Sequence, residues 1–85
     1  MDNTTTKAIE DEIAGLFQQY LGLPDTFDRA ASFIQLGGKS STGMQLQIDL
    51  KKKYGMVVTY AEMRKFNSAE GLARLVAQHL DEKDS

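Results

Sequence analysis

Apolar residues recur at helical spacing along most of this chain, while its one β-prone run has no second strand to pair with. That run is Met56-Val57-Val58. A strand without a partner leaves backbone groups unpaired, so we expect this run to be an extended connector. The pattern predicts an all-α fold, a four-helix bundle in which three main helices and a short third helix surround one core.

The first helix is predicted over about residues 5–21. Its apolar stripe recurs at i, i+4, i+7, i+8 and i+11 and consists of Ile9, Ile13, Leu16, Phe17 and Tyr20. We expect the threonines at 4–6 to cap the start, and the acids at 10–12 to interact favourably with the helix dipole. Gly22 and Pro24 should end the helix.

Residues 22–39 form a first loop that is long for a compact domain. A loop of this length needs apolar anchors to hold it on the core. The sequence offers Leu23, Phe27, Phe33, Ile34 and Leu36. We expect residues 28–31 to make one helical turn within it.

The second helix is predicted to run from Ser40 to Tyr54, with Gly55 as its stop. Leu46, Leu50 and Tyr54 are spaced by four residues and should face the core. A different face of the same helix carries Ser41, Met44, Gln45, Ile48 and Lys52.

Two capping signals predict the remaining helices. Thr59 followed by Glu62 matches a capping box, which indicates a short helix over about residues 60–66. Ser68 can cap a last helix over about residues 69–80. Its stripe consists of Leu72, Ala73, Leu75, Val76 and Leu80. We therefore expect one domain over residues 5–80, with flexible ends at 1–4 and 81–85.

The charge is unevenly distributed, although the net charge is only −2. Residues 39–66 carry six bases and two acids, whereas residues 1–38 carry two bases and six acids. The basic segment is small and lacks an aromatic-plus-Arg stacking surface, so we do not expect nucleic-acid binding. No run has the length of a membrane span, and no signal peptide is evident. We expect a soluble, cytoplasmic monomer that does not bind membranes.

The sequence offers no convincing catalytic or metal centre. It has no cysteine and a single histidine, His79, which we expect to be surface or half-buried. Gly38-Lys39-Ser40 resembles the end of a phosphate-binding loop, but Phe33 occupies the position where that motif requires glycine. We expect no catalytic residue and no metal ligand.

The strongest local signal is the segment from Phe33 to Ser40, Phe-Ile-Gln-Leu-Gly-Gly-Lys-Ser. We expect a loop that apolar residues hold on the core and that two glycines make flexible. The loop ends in a serine at the start of a helix. Unpaired N–H groups and the positive dipole end favour an anion there. Local chemistry leaves two interpretations of Ser40 open, a phosphodiester attachment site and an ordinary N-cap.

The sequence resembles the phosphopantetheine-dependent carrier proteins, in particular the free-standing peptidyl carrier (thiolation) type. The family motif is Phe-Phe-x-Leu-Gly-Gly-(His/Asp)-Ser-(Leu/Ile). This chain matches it in register at Phe33, Ile34, Leu36, Gly37, Gly38 and Ser40. The apolar spacing of Met44 and Leu46, the run at 54–56 and the helix start at 68–73 are similar as well. The resemblance covers about residues 9–80.

The resemblance implies a non-catalytic carrier. A phosphopantetheinyl transferase, using coenzyme A and magnesium, is expected to attach a 4′-phosphopantetheine arm to Ser40. The terminal thiol of the arm then holds an aminoacyl or acyl group as a thioester. An adenylating or acyl-loading enzyme supplies that group, and a condensing, tailoring or thioesterase enzyme takes it. The expected setting is natural-product biosynthesis of the nonribosomal peptide or hybrid polyketide kind.

Two positions depart from the family motif. Lys39 stands where His or Asp is usual, and Ser41 stands where Leu or Ile is usual. The expected partner-docking positions are Lys39, Ser41, Met44, Gln45, Ile48 and Lys52. With the lysines at 51–53 they form an apolar centre with a basic rim. Such a rim favours a partner with acidic groups and disfavours enzymes built for an acidic carrier.

Two alternatives remain open from the sequence. One is another carrier subtype, either a polyketide-type acyl carrier or a D-alanyl carrier. The other is an unmodified helical docking module, which the departures at Lys39 and Ser41 keep in consideration.

Overall fold

The computed structural model describes residues 3–84 of the chain, and the side chains of residues 5–81. Four helices occur in this range: α1 (Asn3–Leu21), α2 (Ser40–Tyr54), α3 (Tyr60–Lys65) and α4 (Ala69–Asp84). Met56-Val57-Val58 is extended, and no strand forms among the described residues. The predicted all-α bundle, with its short third helix and long first loop, is confirmed.

Helix α1 begins earlier than the sequence indicated. Because it starts at Asn3, residues 4–6 lie inside the helix and do not precede it, so their expected capping role is wrong. The expected dipole interaction of the acids at 10–12 is also wrong, since no acid lies in the first turn. Glu10 and Asp11 instead hold Arg29 of the first loop, at 2.9 and 2.6 Å.

The core lies between α1, α2 and α4, and α1 and α4 make the most extensive helix–helix contact. Its largest fully buried side chains are Ile13, Phe17, Leu46, Leu50, Val58, Leu72 and Val76. Each such side chain contributes about 1.5–3 kcal/mol by its removal from water. The predicted inward face of α2 is confirmed, because Leu46 and Leu50 are fully buried and Tyr54 packs against the core.

Aromatic contacts and backbone hydrogen bonds hold the first loop on the bundle. Phe27 and Phe33 pack against Phe17, with ring centroids 6.3 and 5.3 Å away. The Phe33 N–H donates to the Asn67 carbonyl at 2.6 Å, which fixes the loop to the segment between α3 and α4. The expected turn at 28–31 is closed by a single 3.0 Å bond between the residues at its two ends.

One predicted anchor of the loop is wrong. Ile34 is 69% exposed, whereas Leu23, Phe27 and Leu36 are partly buried against the core. Ile34 directly follows the buried Phe33 and begins the tight turn that the Gly37 N–H closes on the Ile34 carbonyl, where its side chain stays outside the core.

Three helix ends follow the predicted signals. Gly55 ends α2 with a left-handed backbone, φ 66°. Thr59 and Glu62 form the reciprocal capping box of α3. The Ser68 hydroxyl accepts from the Gly71 N–H at 2.9 Å at the start of α4. Helix α4 continues through Asp84, past the expected end at residue 80, and residues 1, 2 and 85 of the expected flexible ends lie outside the described residues.

Candidate functional site

Ser40 is the first residue of α2, and its side chain is exposed. The N-cap position belongs to Lys39, whose extended backbone (φ −120°, ψ 167°) carries no side-chain capping bond. The interpretation of Ser40 as an ordinary N-cap is therefore wrong. In residues 5–81 no side chain or backbone group hydrogen-bonds the Ser40 hydroxyl. The hydroxyl oxygen is thus open to solvent at the start of a helix.

The turn before Ser40 explains the two glycines. Gly37 has φ 97°, a backbone conformation that side chains disfavour. A Cβ on Gly38 would lie 2.2 Å from the Phe33 ring, so only glycine fits over that ring. The Gly38 N–H donates to the Phe33 carbonyl at 2.9 Å and closes the turn. We expected the glycines to make this loop flexible, but here they allow a tight, hydrogen-bonded shape.

Ser40 borders a groove of about 400 Å³ between α2 and α3. Buried Phe33 contributes to its floor, and Met44, Tyr60 and Met63 contribute apolar surface. Two cations, Lys39 and Arg64, border the same groove. The Arg64 guanidinium lies 6.0 Å from the centre of the Tyr60 ring, a distance at which cation and ring attract each other.

A second, shallower groove of about 280 Å³ continues from the first and shares Met44 with it. Ile48, Val57 and Lys51 line it. Together the two grooves form an exposed apolar strip beside Ser40. The large apolar side chains of this strip are Ile34, Met44, Ile48, Val57 and Tyr60. An apolar strip of this kind with charged residues at its rim is typical of a surface that contacts other molecules.

The sequence identified only part of this strip. All six expected docking residues are exposed on or next to α2, namely Lys39, Ser41, Met44, Gln45, Ile48 and Lys52. The sequence analysis did not identify three further residues of the strip, Ile34, Val57 and Tyr60. Val57 could have been found, because it lies between two buried residues of an extended segment, and alternate side chains of such a segment point to opposite sides.

The strip is electrostatically positive. Lys39 and the lysines at 51–53 make no ion pair within residues 5–81. Asp49, the one acid of α2, accepts the hydroxyl of Tyr20 on α1, and this hydrogen bond raises the pKa of Tyr20. A hydrogen bond from Arg29 of the first loop lowers the pKa of Asp11 in α1. Unpaired cations therefore lie at both ends of α2, with Lys39 beside Ser40 and the lysines at 51–53 in the last turn, while the acids of α1 are partly neutralised.

The Ser40 hydroxyl contacts no activating group among the side chains that the structure describes. Neither a histidine nor a carboxylate of the described side chains hydrogen-bonds its hydroxyl. His79, the single histidine, is half-buried near the end of α4, as expected. The described residues contain no group of three or more potential metal ligands, and none of their helices is long and apolar enough to cross a membrane.

Comparison with known proteins identifies the fold. No family model matches the sequence, and no curated protein matches it either. A chain in the solved structure of the phosphopantetheine transferase Sfp in complex with coenzyme A and a peptidyl carrier protein is similar, with a TM-score of 0.75. The two chains are 20% identical, and the match covers 82% of this chain and 90% of the other. At this identity the likeness establishes the fold, a small helical bundle of the carrier-protein kind.

Proposed function

We propose that this protein is a non-catalytic carrier in which Ser40 bears a 4′-phosphopantetheine arm. When attached, the arm supplies a thiol that holds an aminoacyl or acyl group as a thioester. The observation that carries the proposal is the state of the Ser40 hydroxyl, which is exposed, without a hydrogen bond among the described residues, and at the mouth of a groove with two cations. A serine that merely capped α2 would have its oxygen engaged with the backbone.

The surroundings of Ser40 fit a phosphodiester. The first turn of α2 offers unpaired N–H groups and the positive end of its dipole. Lys39 and Arg64 add positive charge at the same groove. The carboxylate of α2, on Asp49, is engaged by Tyr20. An anion linked to Ser40 is thus placed among groups that favour negative charge.

Attachment requires an enzyme that supplies the missing base. The Ser40 oxygen displaces adenosine 3′,5′-bisphosphate from coenzyme A, so that one P–O bond forms to serine and one P–O bond of the diphosphate breaks. The hydroxyl proton leaves to a group of the partner, because Ser40 has no base hydrogen-bonded to it among the described residues. The matched structure, which contains a phosphopantetheine transferase, coenzyme A and a peptidyl carrier protein, supports a transferase as this partner.

The exposed strip suits enzymes that load and unload the arm. Met44 and Ile48 give it an apolar centre, and Lys39 and Lys51 give it a basic rim. An adenylating or acyl-loading enzyme, followed by a condensing, tailoring or thioesterase enzyme, would contact this strip through acidic groups around its own docking site. We place the protein in nonribosomal peptide or hybrid polyketide biosynthesis, and in the cytoplasm as a monomer.

Incubation with coenzyme A, magnesium and a promiscuous phosphopantetheinyl transferase tests the proposal by intact-mass measurement. We expect the wild type to gain one phosphopantetheine group and Ser40→Ala to gain none. Ser41→Ala is the matched control, because Ser41 is the adjacent exposed serine, and it should gain the group. A gain by Ser40→Ala would refute the site, and no gain by the wild type would favour an unmodified docking module.

The carrier subtype is tested by loading. We expect the modified protein to accept an aminoacyl group from an amino-acid-adenylating enzyme more readily than a malonyl-type group from an acyltransferase or D-alanine from its ligase. Preference for either of the latter would assign the polyketide-type or D-alanyl subtype instead.

A further inference from the structure

We propose that Lys39 and Arg64 form a phosphate-binding pair that holds the phosphodiester on Ser40 and directs the arm into the groove between α2 and α3. This inference rests on the proposed attachment at Ser40. It adds a resting position for the arm and names the residues that determine it.

The charges at the groove support a phosphate site. Lys39 directly precedes Ser40, and Arg64 borders the groove from α3. Neither cation has a carboxylate partner within residues 5–81. Arginine and lysine bind phosphate oxygens through short, charge-assisted hydrogen bonds. A phosphodiester at Ser40 would therefore give both cations a partner of opposite charge.

Arg64 has a contact on its own helix, with the ring of Tyr60. Its guanidinium lies 6.0 Å from the centre of the Tyr60 ring, one helical turn earlier in α3. Tyr60 is 74% exposed, so this contact forms at the open side of the groove. Stacking on an aromatic ring leaves the N–H groups at the edge of a guanidinium free to donate. The Tyr60 ring thus attracts the Arg64 guanidinium and leaves its donors available.

The lining of the groove suits a pantetheine arm. Its volume of about 400 Å³ begins at Ser40 and has an apolar lining from Met44 and Met63. The pantetheine part of the arm is a chain of methylene, dimethyl and amide groups, which matches apolar walls with polar groups at intervals. Asn67 and Gln47 supply side-chain amide oxygens on the same lining, since their amide nitrogens donate to the Arg64 and Val58 carbonyls. Phosphate bound at the mouth would leave the rest of the arm free to lie along this surface.

The test compares the arm-bearing wild type with Lys39→Gln and Arg64→Gln. The matched controls are Lys53→Gln in α2 and Lys65→Gln in α3, which remove one positive charge each without touching the groove. Intact mass first establishes that each protein carries the arm. Two quantities are then measured: backbone amide shift differences between the proteins with and without the arm, and the rate at which the arm thiol reacts with an uncharged disulfide.

We expect arm attachment in the wild type to shift the amides of Met44, Tyr60 and Met63, and to slow thiol reaction about two- to fivefold relative to free pantetheine. Lys39→Gln and Arg64→Gln should remove both effects, as should high salt on the wild type, and the controls should retain them. Shifts confined to residues 39–42, with a thiol as reactive as free pantetheine, would overturn the inference. Equal losses in variants and controls would also overturn it.

The outcomes separate the two proposals. A wild type that gains no mass refutes the attachment at Ser40 and the phosphate pair with it. A wild type that gains the arm but shows no effect along the groove refutes the phosphate pair alone. If the transferase modifies Lys39→Gln poorly, the phosphate pair is tested by the comparison of Arg64→Gln with Lys65→Gln and by the salt series on the wild type.

Discussion

Helix α2 carries apolar residues on two faces, and the two faces differ sharply in burial. Leu46 and Leu50 have no exposed surface, whereas Met44 and Ile48 are 63% and 46% exposed. Each pair is spaced by four residues, so both meet the spacing expected of a core stripe. The comparison shows that one helix can stabilise the bundle through its inner face and offer its outer face for recognition.

The largest effect should come from the inner face. Leu46→Ala should lower the free energy of unfolding by about 2–5 kcal/mol, because it leaves a cavity in a fully buried site. Met44→Ala, its outer-face control, should change this free energy by no more than about 0.5 kcal/mol. Urea denaturation followed by circular dichroism measures both. Similar losses in the two variants would show that the outer face is part of the core.

The sequence predicted the inner face well because its signal is local. Leu46, Leu50 and Tyr54 recur every four residues between a serine-rich start and a glycine stop, and such periodicity needs no knowledge of distant residues. The capping box of α3 and the Ser68 cap of α4 were predictable for the same reason. The order and types of all four helices followed from these local patterns.

The sequence could not predict the surroundings of Ser40, because they depend on contacts between distant segments. Ser40 looked like a cap, yet the extended backbone of Lys39 places the cap one residue earlier. That backbone follows from the turn over Phe33, whose N–H bonds the Asn67 carbonyl far along the chain. The exposure of Tyr60 beside Ser40 likewise depends on how α3 lies against α2.

A second prediction tests whether the turn into α2 belongs to the inner, tightly packed region. Gly38→Ala should destabilise the protein by about 1–3 kcal/mol, because the new Cβ overlaps the Phe33 ring. Gly15→Ala is the control, since Gly15 lies in α1 with no atom within 4 Å of a new Cβ, and it should stabilise the helix by up to about 1 kcal/mol. Thermal unfolding of the two variants measures the difference. A neutral Gly38→Ala would mean that Phe33 can move aside.

A third prediction sharpens the role of the outer face. If Ser40 accepts the arm, Met44→Ala should lower the kcat/KM of the transferase about tenfold, because truncating an apolar contact at the centre of an interface costs on the order of 1 kcal/mol or more. Gln78→Ala, at an exposed position of α4, should leave that rate unchanged. The rate is followed by the appearance of the modified protein in intact-mass spectra. Equal rates for the two variants would remove Met44 from the docking surface.

The smallest expected effect is a pH dependence of stability that comes from Tyr54, the last residue of the inner face of α2. Tyr54 is partly buried, and its hydroxyl donates to the Glu12 carboxylate of α1. Burial, followed by this hydrogen bond, raises the pKa of Tyr54 above its ordinary value of 10.0. A raised pKa in the folded state means that the protonated hydroxyl stabilises the fold. That contribution is complete at pH values below the pKa of this tyrosine in the unfolded chain. It is lost as the pH rises through its pKa in the folded protein.

The free energy of unfolding of the wild type should therefore begin to fall near pH 10 and continue to fall as the pH rises above it, because the unfolded chain ionises this tyrosine first. Tyr54→Phe should show a shallower fall, since phenylalanine has no proton to lose. Tyr60→Phe is the matched control, because Tyr60 is 74% exposed and should keep the full alkaline fall. Urea denaturation at a series of pH values measures the slopes. Equal slopes in the two variants would mean that Tyr54 behaves as an outer-face residue, and that the inner face of α2 ends at Leu50.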